Sequence, residues 1–335
     1  MSNDRDLDRL PTAAESFAGD TVPVIDLGGR SEQSLRDEAL QHAIAAACAS
    51  WGFFQVVGHG IDRRVIDSVW RETKRLFGLS TPDKEAILRT RDNPWGYYNN
   101  ELTKNQRDKK EVFDFTVSGV DPIYQAENRW PAMEGFRATM EDYRRTCESL
   151  AMDLLRLIAA GLNAPTDALT RHFEVSHTGF VRLNYYPVMD PLQGREDVPH
   201  LNEADLGVHH HTDAGVLTVL LQDDVGGLQV LRDGLWHDVA PVEGALVINT
   251  GDMLQVWSND RYRAAMHRVL AMNHLDRYSI PFFFNPSAGT IVEPLASPRD
   301  AKRYRPIDWA EYRGRRTDGD YADYGVEVQI SQYRV

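Results

Sequence analysis

His211, Thr212 and Asp213 stand side by side, and His267 follows far downstream. In an extended strand alternate side chains share a face, so His211 and Asp213 offer one imidazole and one carboxylate to a single ion. A distant histidine completes the set. Two histidines and a carboxylate on one face of a metal leave the opposite positions open, as an Fe(II) centre needs when it must hold a co-substrate and dioxygen together. The chemistry this points to is oxidation. His209 shares a strand face with His211 and competes as a ligand. The carboxylate two residues after His211 selects His211 and leaves His209 and His210 as neighbours.

A second pair lies further on, in Arg277-Tyr278-Ser279. Arginine and serine at i and i+2 share a strand face. The guanidinium can grip a carboxylate with two parallel hydrogen bonds, and the hydroxyl can add a third. A 2-oxo acid chelating iron through its 1-carboxylate and 2-oxo group would present its far carboxylate to such a pair. The stretch Asn273-His274-Leu275-Asp276 reads as the turn of a hairpin that folds Arg277 back toward His267.

These residues need a scaffold, and the composition supplies one. The 335 residues are 42% hydrophobic and 10% aromatic, enough for one large domain with a substantial core. A formal charge of −13 argues against a phosphate backbone as partner. With no apolar stretch long enough for a secretion signal or a membrane span, the expectation is a soluble, cytoplasmic protein, a monomer or weak homo-oligomer. Cys48 and Cys147 are then expected as buried thiols rather than a disulfide. Residues 1–20 are polar and charged and are expected to be flexible; residues 21–335 are expected to form one catalytic domain.

Helical periodicity predicts helices over Leu35–Ser50, from an Asp62 cap to Gly78, and over Met133–Leu162. From Gly179 onward short β-rich runs replace them: Phe180–Tyr186, Val216–Gln222, Leu228–Leu231, Ala245–Asn249, His267–Met272 and Tyr278–Phe284. Short strands at close spacing predict a two-sheet barrel or jelly roll. All the metal candidates fall there. A polar, proline-bearing loop between Asp190 and Val208 is placed to border or cover the site.

The chain resembles the 2-oxoglutarate- and Fe(II)-dependent oxygenase superfamily, in the branch containing isopenicillin N synthase and plant flavonol synthase-like enzymes. The resemblance runs over nearly the whole chain. It begins at Val22-Pro23-Val24-Ile25-Asp26-Leu27 and continues through Trp51-Gly52-Phe53-Phe54 to Gly58-His59-Gly60-Ile61, where plant members commonly have asparagine in place of Gly58. It includes Lys110-Glu111-Val112-Phe113-Asp114-Phe115 and Asn184-Tyr185-Tyr186-Pro187. The densest stretch runs from His211 through Gly251-Asp252-Met253-Leu254-Gln255 and His267-Arg268-Val269 to Arg277-Tyr278-Ser279-Ile280-Pro281.

This resemblance implies a mainly β fold with flanking helices around a double-stranded β-helix (jelly-roll, cupin-like) core. The helical part would cover roughly 30–165, the core 179–290 and a C-terminal extension 291–335. It assigns His211, Asp213 and His267 to Fe(II), Arg277 and Ser279 to the distal carboxylate of 2-oxoglutarate, and Asn184 and Tyr186 to its proximal end. The implied activity, with O2 as second co-substrate, is hydroxylation, desaturation or ring closure of a small organic molecule with release of succinate and CO2. Strand alternation adds Arg182, on the face of Asn184 and Tyr186, as a contact for an anionic substrate. Phe283 shares the face of Arg277 and Ser279, and Asn285 extends it. Val112 and Asp114 alternate in the family's pocket-forming segment. Three other readings stay open: an oxidase resembling isopenicillin N synthase, in which the Arg-x-Ser pair holds the substrate's own carboxylate; a zinc hydrolase, against which the missing H-E-x-x-H helix counts; and a non-catalytic small-molecule receptor on the same scaffold.

Overall fold

The computed structural model describes residues 7, 8, 10, 12, 21–103, 106–173, 176–195, 206–295, 301–318 and 328–335. In chain order the strands are β1 (Val24–Asp26), β2 (Phe53–Val57), β3 (Gly96–Tyr98), β4 (Leu102–Thr103), β5 (Gln106–Arg107), β6 (Glu111–Thr116), β7 (Phe180–Tyr186), β8 (Val208–His211), β9 (Leu217–Gln222), β10 (Leu228–Arg232), β11 (Leu235–Asp238), β12 (Leu246–Thr250), β13 (His267–Val269), β14 (Arg277–Phe284), β15 (Ile291–Val292) and β16 (Ile307–Asp308). Eight of them form one sheet in the order β1-β2-β12-β9-β14-β7-β6-β3, and β11-β10-β13-β8 form a second. This is the jelly roll.

The two sheets bury different things. Between them lies a small apolar core that joins Phe53, Tyr186, Leu220 and Val247 of the large sheet to Val208, Leu228, Val230 and Val269 of the small one. The other face of the large sheet packs against the helices Glu38–Ser50, Arg63–Phe77 and Phe136–Gly161, whose buried positions repeat at helical spacing. Strands buried on both faces, such as β9 and β12, follow from this arrangement. The helix after Asp62 starts where its cap predicts, with the Asp62 carboxylate accepting from the Arg64 N–H at 2.8 Å. Gly58 adopts φ +60°, a left-handed position that glycine tolerates best, and a Cβ there would lie 2.1 Å from Asp26 Oδ1. Both cysteines are buried free thiols.

Three expectations change. The helix predicted over Leu35–Ser50 breaks into Glu32–Leu35 and Glu38–Ser50, because Asp37 caps the second piece through the Ala39 N–H. The stretch 273–276 is a crossover between sheets, not a hairpin turn: β13 is flanked by β8 and β10, and β14 by β7 and β9, so the two strands never pair. Residues 7, 8 and 12, expected to be loose, lie on the small sheet, with the Trp236 indole donating to the Leu7 carbonyl at 2.9 Å and Thr12 bridging Trp236. The rest of residues 1–20, and residues 196–205 of the loop expected to border the site, lie outside the described residues.

Candidate active site

His211 and His267 are direct cross-strand partners on β8 and β13, with ring centroids 4.2 Å apart. Asp213 does not share their strand. β8 ends at His211, and the chain bends so that Asp213 Oδ1 lies 3.7 Å from His211 Nε2 and 3.6 Å from His267 Nε2. One ligand atom from each residue lies within 4.8 Å of the others. Each imidazole is oriented from behind: His211 Nδ1 donates to the His209 carbonyl at 2.8 Å and His267 Nδ1 to the Ala265 carbonyl at 3.2 Å. That fixes the tautomer with the Nε2 lone pair turned inward. Burial, and then the neighbouring His267, push His211 well below the usual histidine range, so it stays neutral and able to ligate.

The carboxylate is treated the same way. Asp213 Oδ2 accepts from the Thr218 hydroxyl and from Asn249 Nδ2 at 2.8 Å, which leaves Oδ1 for an ion. Thr218 and Asn249 are themselves register partners across β9 and β12. Sequence reasoning missed both. The available signal was an asparagine closing the apolar run Leu246-Val247-Ile248, since a polar group there must find a partner. His209, the competing ligand, is bound instead to Asp108, 3.1 Å from its Nδ1. His210 lies 2.8 Å from the Asp8 carboxylate.

Across the cleft, Arg277 pairs in register with Tyr186, and Ser279 with Asn184, on β14 and β7. Arg277 is 1% exposed, its guanidinium lies 4.8 Å from the Tyr186 ring centroid, and its Nε and Nη1 have no hydrogen-bond partner. Asn184 Nδ2 donates to Ser279 Oγ at 3.2 Å. Buried guanidinium nitrogens without an acceptor are costly to leave open, so the arrangement fits a ligand that brings an anion. Triad and guanidinium line one cleft. The donor set suits Fe(II), and the orphaned nitrogens suit the distal carboxylate of a chelating 2-oxo acid.

The family descriptions for the 2OG-Fe(II) oxygenase superfamily and for the non-haem dioxygenase N-terminal region in morphine synthesis match residues 177–286 and 22–133. Flavanone 3-dioxygenase of Petroselinum crispum is 33% identical over 327 residues, 94% of this chain and 84% of its own. The chain belongs to the 2OG-Fe(II) oxygenase superfamily. Among solved structures, JOX2 in complex with 2OG, Fe and JA matches this oxygenase with a TM-score of 0.76 at 28% identity, over 91% of this chain and 88% of that one. A full-length Neurospora crassa protein in complex with alpha-KG matches with a TM-score of 0.76 at 26% identity, over 92% and 99%. The oxygenase is therefore an oxidoreductase whose cofactor is Fe(II) and whose co-substrates are 2-oxoglutarate and O2. No helix among its described residues is long and apolar enough to cross a membrane.

The remaining wall of the oxygenase cleft differs from its expected form. Arg182 lines the cleft, but Asp114 takes its Nε and Nη2, both at 2.8 Å, and Glu101 its Nη1 and Nη2 at 2.9 and 2.8 Å. Asp114, its register partner on β6, also accepts from Arg89 at 2.7 Å; it is an ion-pair partner within the wall rather than a lining residue. Lys110 joins the network, 2.5 Å from Glu101 and 3.0 Å from Asp108. Burial alone would raise the Glu101 carboxyl, but Arg182, Lys110 and Arg89 together hold it well below the usual carboxylate range. Phe283 lines the cleft and stacks on Phe180 at 4.6 Å. Val112 is fully buried and does not line the cleft. Asn285 is turned away from it, its amide nitrogen 3.5 Å from the Thr178 carbonyl and its side chain packed on Gly215.

Proposed function

We propose that this chain oxidises a C–H bond of a small organic molecule, with His211, Asp213 and His267 holding Fe(II) and Arg277, Ser279, Asn184 and Tyr186 holding 2-oxoglutarate. The observation that carries this reading is Arg277: a buried guanidinium whose Nε and Nη1 have no acceptor, in the same cleft as the triad. Bound iron supplies the oxidising power, drawn from O2 and from the conversion of 2-oxoglutarate to succinate and CO2. The protein's own part is placement. Arg277 and Ser279 anchor one end of the co-substrate, the Tyr186 ring lies against the guanidinium, and Thr218 and Asn249 keep Asp213 presenting one oxygen only.

The substrate side is read from Phe283, Pro281 and Val208, which give the cleft an apolar flank beside the ion-paired wall. This supports a small molecule with a flat or cyclic body, in keeping with thymine and JA in the similar solved structures. Arg182, already held by two carboxylates, supports the wall better than it supports an anion. Two buried free thiols support a cytoplasmic setting.

The test is a metabolite panel incubated with the Fe(II)-loaded protein and 2-oxoglutarate, scored for succinate and for substrate mass. Oxidised product formed in step with succinate is the expected result. Oxidation without succinate would mean that Arg277 holds the substrate's own carboxylate, and no turnover of 2-oxoglutarate across the panel would favour a receptor.

A further inference from the structure

We propose that the helix Trp309–Asp318 is a working part of the metal centre, with Tyr312 and Arg316 as positioning residues for the His211–Asp213 segment. The inference rests on the reading that these residues hold the metal. β8 stops at His211, so no sheet ladder fixes Asp213 relative to His211. Their relative position depends on whatever holds residues 212 and 213.

Thr218 and Asn249 of the large sheet hold the Asp213 carboxylate, and the support of the backbone at 212 and 213 comes from outside the two sheets. Arg316 Nη2 donates to the Thr212 carbonyl at 2.8 Å. The Asp213 carbonyl accepts from the Asp252 N–H at 2.8 Å, and the Gly215 carbonyl from the Met253 N–H at 2.9 Å. The Asp252 carboxylate accepts in turn from the Tyr312 hydroxyl at 2.7 Å. Tyr312 and Asp252 are 0% and 1% exposed, so this bond has no competition from water and fixes direction as well as distance. The approach leaves no slack: a Cβ on Gly251 would lie 2.3 Å from the Gly215 carbonyl oxygen and 2.9 Å from that of Asp213. The helix has other anchors, since the Trp309 indole donates to Thr178 Oγ1 at 2.7 Å. Tyr312 and Arg316 are distinguished by where they lead: Arg316 directly to Thr212, between the two proposed ligands, and Tyr312 through Asp252 to Asp213.

The experiment is an anaerobic Co(II) titration of the metal-free protein, reading affinity and the ligand-field absorption spectrum, with thermal unfolding of the metal-free form alongside. Tyr312→Phe removes one hydroxyl and Arg316→Leu one donor. Each is expected to weaken Co(II) binding roughly tenfold and to alter the spectrum, as loss of outer support to a ligand set does. Arg316→Lys, which keeps a donor and the charge, should recover part of the loss. Unchanged affinity and spectrum in both variants, with only a lower melting temperature, would overturn the proposal. If Tyr312→Phe fails to fold, the partly exposed Arg316 pair decides alone. Wild-type protein that does not bind Co(II), or Asp213→Ala that binds it normally, would instead sink the underlying metal assignment.

Discussion

Arg277 and Arg182 line one cleft from neighbouring strands of the same sheet, yet their surroundings are opposite. Arg182 makes four hydrogen bonds of 2.8–2.9 Å to Glu101 and Asp114. Arg277, deeper and 1% exposed, leaves Nε and Nη1 without an acceptor. The guanidinium of Arg182 is filled from within the fold, whereas two nitrogens of Arg277 are left open. A cationic side chain in a cleft is therefore weak grounds for an anion receptor until its hydrogen bonds are counted.

The largest effect that would test this contrast is on stability. Arg182→Ala strips a buried partner from Glu101 and Asp114 and should destabilise the metal-free protein by about 3 kcal/mol, the low end for breaking a buried pair because Arg89 still reaches both carboxylates. Urea unfolding measures it. Arg277→Ala should cost the metal-free protein far less, since its Nε and Nη1 have no acceptor to lose. Equal losses in the two variants would erase the distinction.

Next comes the co-substrate. Losing a two-pronged charged contact should cost about 2–3 kcal/mol, roughly 30- to 150-fold, in 2-oxoglutarate affinity for Arg277→Ala. Arg182→Ala should hardly change it. The check is titration of 2-oxoglutarate into anaerobic Fe(II)-loaded protein, following its visible charge-transfer absorption. Weakening in Arg182→Ala comparable to that in Arg277→Ala would make the wall part of the co-substrate site.

How far the sequence reached follows the same line. Residue types at strand spacing nominate Arg277 with Ser279, which do share β14, because period-two alternation is a local property; the local order His211, Asp213 with a distant His267 nominates a metal set whose ligand atoms the fold brings together. What supports each group was hidden wherever it comes from elsewhere in the chain. Glu101 reaches Arg182 from the short connection between β3 and β4, and no periodicity reports that approach. Alternation puts Asp213 on the strand of His211, whereas it lies past the strand's end, its carboxylate held by Thr218 and Asn249 and its carbonyl by the Asp252 N–H. Asn285 follows the alternation of β14 but lies past its end, where the strand face no longer predicts direction.

A smaller effect separates the proposed ligands from their orienting groups. Asn249→Ala removes one of the two donors to Asp213 Oδ2 and should weaken Fe(II) binding roughly tenfold, about 1.4 kcal/mol, with little change in 2-oxoglutarate affinity of the fully loaded protein. Metal competition with a chelator under anaerobic conditions reads it. An unchanged affinity would show that the Thr218 hydroxyl holds the carboxylate alone.

The smallest expected effect concerns Phe283, and it bears on which wall reads the substrate. Its ring stacks on Phe180 at 4.6 Å and 25° and faces the cleft, so one side is spent on the fold and the other is open to a substrate. Phe283→Leu keeps apolar bulk but loses the flat face, worth about 0.5–1.5 kcal/mol in an aromatic contact, so KM for a ring-bearing substrate should rise roughly two- to tenfold. The affinity for 2-oxoglutarate should not move, because Arg277 and Ser279 lie nearer the other end of β14. Arg182→Lys gives the complementary arm: it keeps the positive charge while losing the planar fork that engages both carboxylates. A rise in KM in Phe283→Leu with none in Arg182→Lys would place substrate reading on the aromatic side. The reverse pattern would mean that Glu101 and Asp114 give way when substrate enters, and that Arg182 is a receptor after all.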